Sequence, residues 1–146
     1  MNRVPGGLLR LPTGGLRYVG TYQLDVRPVS NADYASFIEA TGATRPPWMH
    51  RPGFGEPEQP VVGVTLKDAR RYARWAGKRL PTASEWFRAG LGSDHRPYPW
   101  GEGQPSAAVA HFGRGKSGAP SPVEDVATRR GAGCGPFGHF DLLGNV

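Results

Sequence analysis

Cysteine is almost missing from this 146-residue sequence: Cys134 stands alone, so no disulfide can form within the chain. Lysine is scarce too, three residues against fifteen arginines. Acidic residues number 12 against 18 basic ones, a formal charge of +6. That balance permits contact with an anionic surface, nucleic acid or an acidic partner without requiring any of them. No apolar run approaches the roughly 20 residues that cross a bilayer. The opening "MNRVPGGLLRLPTGG" holds no apolar stretch of the roughly 7–15 residues that a secretory leader uses. These absences set the expectation of a soluble cytoplasmic protein with no membrane contact.

Glycine and proline are plentiful, 22 and 15 residues, near the level of low-complexity chains. Fifteen aromatic residues, four of them Trp, run along the whole length, whereas disordered chains are poor in aromatics. The length fits one domain over residues 1–146. The expectation is a globular, loop-rich domain with little regular structure.

Between residues 5 and 27, loosely alternating apolar positions separated by Gly suggest one or two strands. "SNADYASFIEATG" predicts a helix. Ser30 or Asn31 is a suitable N-cap, Tyr34, Phe37, Ile38 and Thr41 form a stripe, and Gly42 lies just past the end. Residues 43–60 hold five prolines and predict a long loop tacked down by Trp48, Met49 and Phe54. "TLKDARRYARWAG" predicts a second helix opened by Thr65 and Asp68 at capping-box spacing. One face carries Ala69, Tyr72, Ala73 and Ala76, and the other carries Lys67, Arg70, Arg71, Arg74 and Lys78. "LPTASEWFRAG" starts a third helix, with Thr82 and Glu85 as a full capping pair and Trp86 and Ala89 beginning its buried stripe. Residues 91–136 are irregular, and "FGHFDLLGNV" predicts a short strand followed by a turn.

Candidate chemistry is sparse. No two of His50, His95, His111 and His139 fall at helical ligand spacing, although His139 and Asp141 would share one strand face. Cys134 in "GAGCGPFG" has only Arg129 and Arg130 nearby to lower its pKa, so an incidental thiol is the expected reading. The basic helix face is expected to be solvated. Aromatics do not interleave with it, which argues against a nucleic-acid platform. Thr82, Glu85 and Trp86 are explained by a cap and a core anchor, and the four Trp side chains are expected to pack the core and loops.

The ordered set "VSNADYASFIEATG", "GKRLPT" with "EW", "YPWGE", "SPV" and "FGHFDLLGNV" resembles the formylglycine-generating enzyme, or sulfatase-modifying-factor, family from about residue 16 onward. The same domain type also forms the second half of ergothioneine-pathway sulfoxide synthases. The resemblance implies an α+β, C-type-lectin-like sulfatase-modifying-factor fold, with two to three short helices and a small twisted sheet. In the family, Gly-Asn-Val leads into Trp-Glu-Trp and then a second half, where paired cysteines bind copper and activate oxygen. The resemblance therefore implies a chain cut before its catalytic half, with no catalytic residue and no metal site of its own. Cys134 matches neither family cysteine. Two calcium sites are implied for the family. His111 stands where one of them has Asn, and the other uses oxygens around Gly144 and Asn145 plus the Glu of Trp-Glu-Trp.

Asp141, Asn145 and His111 are the remaining binding candidates, and no cofactor is expected in this chain. The main expectation is a sulfatase-modifying-factor-like scaffold without oxidase activity of its own. The alternatives are a C-type-lectin-like binding module for a protein or acidic partner, and the N-terminal half of a split oxygen-dependent oxidoreductase. A protein partner, or self-association through an uncovered C-terminal edge around Leu142, Leu143 and Val146, is the expected contact. Nucleic acid is disfavoured.

Overall fold

The computed structural model describes residues 1–11, 14–94, 96–112, 118–123 and 133–145, so His95, Arg129, Arg130 and Val146 lie outside the described residues. Its regular part is α+β, as expected, with four short strands where one or two were anticipated. β1 (Asn2–Val4) pairs antiparallel with β4 (Tyr22–Leu24), and β2 (Gly7–Arg10) pairs with β3 (Leu16–Val19). The two pairs are nested. Together they form a hairpin broken where Pro5-Gly6 faces Gly20-Thr21, and there the Gly6 N–H donates to the Thr21 hydroxyl at 3.0 Å. Proline has no N–H for a ladder, which accounts for the break. Leu9 and Val19 point inward, while Leu8, Leu16 and Tyr18 on the opposite face are more than half exposed.

α1 (Asn31–Thr41) opens with a reciprocal capping box between Ser30 and Asp33. It closes at Gly42, whose left-handed φ of 65° lets its N–H reach the Ile38 carbonyl. Asn31 caps nothing. Its amide nitrogen donates to the carbonyls of Phe54 and Glu56, both at 2.9 Å, and so ties the Pro-rich loop to the helix. That loop contains one 3-10 turn, Pro47–His50. α2 (Leu66–Trp75) begins at Thr65, which accepts from the Asp68 N–H. The expected reciprocal bond is replaced by one from the Thr65 hydroxyl to the Asp68 carboxylate. α3 (Ala83–Leu91) carries the full Thr82–Glu85 capping box.

Two apolar clusters form the core. One is aromatic and nearly contiguous in sequence: Tyr34, Phe37 and Ala43, with Val29, Ile38, Met49, Val61, Val64 and Tyr72 packed against them. The Tyr34 ring stacks on Tyr72 at 5.5 Å, and Phe37 meets Tyr34, Tyr72 and Trp75 within 5.7 Å. The second is small and assembled from distant segments: Val4, Ala89 and Leu142, with Tyr22, Leu24 and Phe137.

Three expectations need correction. Trp86 is 41% exposed, and Glu85 and Arg88 share the buried side of α3 with Ala89. The Trp side chains pack loops, as expected, but not the core: half-buried Trp48 lies on Phe54 and half-buried Trp100 stacks on Tyr98, while Trp75 is 44% exposed. Residues 136–145 contain no strand. Asp141 and Asn145 adopt left-handed φ values of 53° and 67°, which no strand accommodates. Leu142 is consequently buried, while Leu143 is 47% exposed.

Candidate functional site

The three binding candidates come together. The Asn145 N–H donates to the His111 carbonyl at 2.8 Å. The Asn145 amide oxygen accepts from the Ser121 N–H at 2.8 Å, and its NH2 donates to the Ser121 carbonyl at 3.1 Å and to Asp141 Oδ2 at 2.9 Å. His111 closes the cluster. Its Nε2 faces the Ala119 carbonyl at 3.1 Å, an acceptor only, so Nε2 carries a proton. In the neutral ring Nδ1 then accepts the Ser121 hydroxyl at 2.8 Å. Gly144, at φ 89°, passes so close that a Cβ there would lie 2.6 Å from the His111 oxygen. Asn145 is 2% exposed and Asp141 9%. Ser121, which ties the cluster together, was not among the sequence candidates, because only its place in "SPV" marked it.

His139 and Asp141 do not share a site. His139 is fully buried beside β1 and β4, and neither ring nitrogen has a hydrogen-bond partner. Backbone around Leu24 and Asn2 packs against the ring without reaching hydrogen-bond geometry. Burial holds the imidazole pKa below its usual 6.5. Cys134 is half-buried, and His50 is exposed.

Two charged groups organise α3: Glu85, expected as a cap, and Arg88, which the sequence did not mark. Arg88, 4% exposed, donates to the carbonyls of Pro5, Gly6, Leu8 and Gly92 at 3.0–3.4 Å and lies over the Phe137 ring. It thereby satisfies backbone groups around β2 that have no strand partner on that side. Glu85 takes a bidentate pair from Arg79 at 2.6 and 2.7 Å, and with the Thr82 N–H this lowers its pKa to about 2. The Tyr22 hydroxyl donates to the Glu85 carbonyl, and burial first, then the Glu85 charge, raises its pKa to about 12.

A cleft of about 490 Å³ opens beside β4, walled by Tyr22, Leu24, Val29, Tyr72, Trp86 and Phe140. At its rim Lys78 pairs with Asp25 at 2.7 Å, and Arg79 is held by Glu85. Lys78 and Arg79 are thus paired, and the interior is mostly apolar. Lys78, expected on the basic helix face, instead folds back to this rim, while Lys67, Arg70 and Arg74 are exposed. Among the described residues no three His, Cys, Asp or Glu side chains gather as a metal site, and no helix is long and apolar enough to cross a membrane.

Nested strands, three capped helices and long packed loops around a polar clamp define a loop-rich α+β domain. The model of the sulfatase-modifying factor enzyme 1-like domain matches residues 10–146, and the chain belongs to that family. A formylglycine-generating enzyme of Thermomonospora curvata is 32% identical over 213 aligned positions, covering 100% of this chain and 69% of that protein. A hercynine oxygenase of Mycolicibacterium smegmatis is 32% identical over 160 positions, covering 88% of this chain and 36% of its own length. A protein named serine/threonine-protein kinase pkn1 from Chlamydia caviae is 29% identical over 88% of this chain and 22% of its own length. The chain spans about a third or less of the oxygenase and the kinase.

Proposed function

We propose that this chain supplies the scaffold of a sulfatase-modifying-factor-type domain and performs no thiol oxidation by itself. The observation that carries the reading is the cysteine count. Copper chemistry of the family type needs a pair of thiolates, and this chain offers Cys134 alone, outside the family's positions. A lone half-buried thiol does not fit that group. Of the His111–Asn145 cluster only the His111 imidazole suits copper, and both of its ring nitrogens are engaged, by the Ala119 carbonyl and the Ser121 hydroxyl.

Contact is with protein, a partner or a second copy, rather than with nucleic acid. The apolar cleft, with Lys78 and Arg79 paired at its rim, supports this. We place the chain in the cytoplasm, where a single thiol stays reduced. The test is to incubate the purified chain with copper, oxygen and a cysteine-containing sulfatase-type peptide and follow the peptide by mass spectrometry. The peptide is expected to keep its sulfur; conversion of its cysteine to an aldehyde would refute the proposal.

A further inference from the structure

We infer that the cluster of His111, Ser121, Asp141 and Asn145 is a cation-free clamp, in which the Asn145 amide does the tying that a calcium ion would otherwise do. A calcium site presents about 6–8 oxygens with lone pairs to spare. Here three of the oxygens each accept a hydrogen bond from within the cluster. The Asn145 amide oxygen accepts from Ser121 at 2.8 Å, and the His111 carbonyl accepts from the Asn145 N–H at 2.8 Å with Gly144 packed against it. Asp141 Oδ2 accepts from the Asn145 amide at 2.9 Å.

The direction of the amide is fixed by its neighbours. Ser121 offers an N–H on one side and a carbonyl on the other, and Asn145 meets both, as a strand residue would. A flipped amide would set oxygen against the Ser121 carbonyl and the Asp141 carboxylate. The side facing Asp141 is thus a donor, the opposite of what a cation requires. The clamp also engages Asp141 and Asn145 at φ 53° and 67°, left-handed conformations that Asp and Asn reach more readily than other side chains. It joins residue 111, residues 119–121 and residues 141–145, which no sheet ladder connects.

The inference is independent of the oxidation reading: an active chain would leave it untouched. The test is thermal unfolding of the purified chain with EDTA and with millimolar calcium chloride, alongside calcium titration calorimetry. The midpoints should agree within about 1 °C and no binding heat should appear, because even a site at about a hundredfold excess of ligand over Kd would raise Tm by several degrees. Asn145→Asp replaces the donor with a second carboxylate oxygen beside Asp141 and should lower Tm by roughly 4–8 °C without calcium. Should that variant fail to fold, Ser121→Ala removes only the hydroxyl bond to His111 and should lower Tm by roughly 2–4 °C. Stoichiometric calcium binding to the unaltered chain, a calcium-raised or EDTA-lowered midpoint, or an unchanged Tm in the folded variants would overturn the clamp.

Discussion

The two core clusters are held together by different means. Around α1 and α2 the contacts are between rings, and their residues lie within one stretch of chain from Val29 to Tyr72. Around α3, three buried residues, Val4, Ala89 and Leu142, must draw together the first strand, a helix and the last described segment. Apolar area there is thin, and polar groups carry the connection: Arg88 to four carbonyls, Asn2 to the carbonyls of Phe137 and Gly138, and Phe140 N–H to Val26. A region built from sequence-local apolar contacts tolerates loss of a hydrogen bond. One built from distant segments and backbone-directed donors does not, because each lost donor leaves a buried carbonyl unpaired.

The largest expected effect tests the aromatic side. Phe37, 2% exposed and in contact with three rings, should cost about 3–5 kcal/mol when replaced by Ala, measured by urea unfolding. Arg88→Met keeps the length of the side chain but removes every donor, and should cost about 2–3 kcal/mol. A cost within error of zero for Arg88→Met would erase the distinction between the clusters.

The next contrast is in pH. His139, buried beside β1 and β4, has a folded pKa below 6.5, so the unfolded chain takes up its proton first. Stability is therefore full above about pH 6.5 and falls as pH drops through the lowered folded value. His139→Leu should remove that part of the slope in urea-unfolding series at different pH. Glu85, lowered from 4.5 to about 2 chiefly by the Arg79 hydrogen bonds, contributes stability above pH 4.5 that is lost between there and about pH 2. Glu85→Gln should flatten this lower limb. The smallest effect belongs to the exposed ring: Trp86→Ala should change stability by no more than about 0.5 kcal/mol.

These contrasts also mark what could be read from the amino-acid order. The N-cap at Ser30 or Asn31, the Thr82–Glu85 cap, the stop at Gly42 and the Tyr34–Phe37 stripe are local, set by spacings of three or four residues. They were legible without any fold. The family likeness, carried by "GKRLPT", "YPWGE" and the last motif, was legible as well. Arg88 was not, because nothing in its neighbours marks it as buried; its partners are carbonyls at Pro5, Gly6 and Leu8, about eighty positions away. The short strand anticipated within "FGHFDLLGNV" failed for a related reason. Apolar alternation there is real, but the backbone turns left-handed at Asp141 and Asn145 to meet His111 and Ser121. The candidates His111, Asp141 and Asn145 came from the family likeness, and their hydrogen bonds to one another came only from the fold.

Native-state hydrogen exchange tests the contrast between the two clusters most directly. Amides of α1 and α2, such as Tyr34, Ile38 and Tyr72, should exchange only through global unfolding. The amides of Phe140 and Asn145 should open at lower free energy, and in Arg88→Met only this second group should lose protection. Equal protection of both groups, or an Arg88→Met loss spread evenly over α1 and α2, would contradict the two-cluster description.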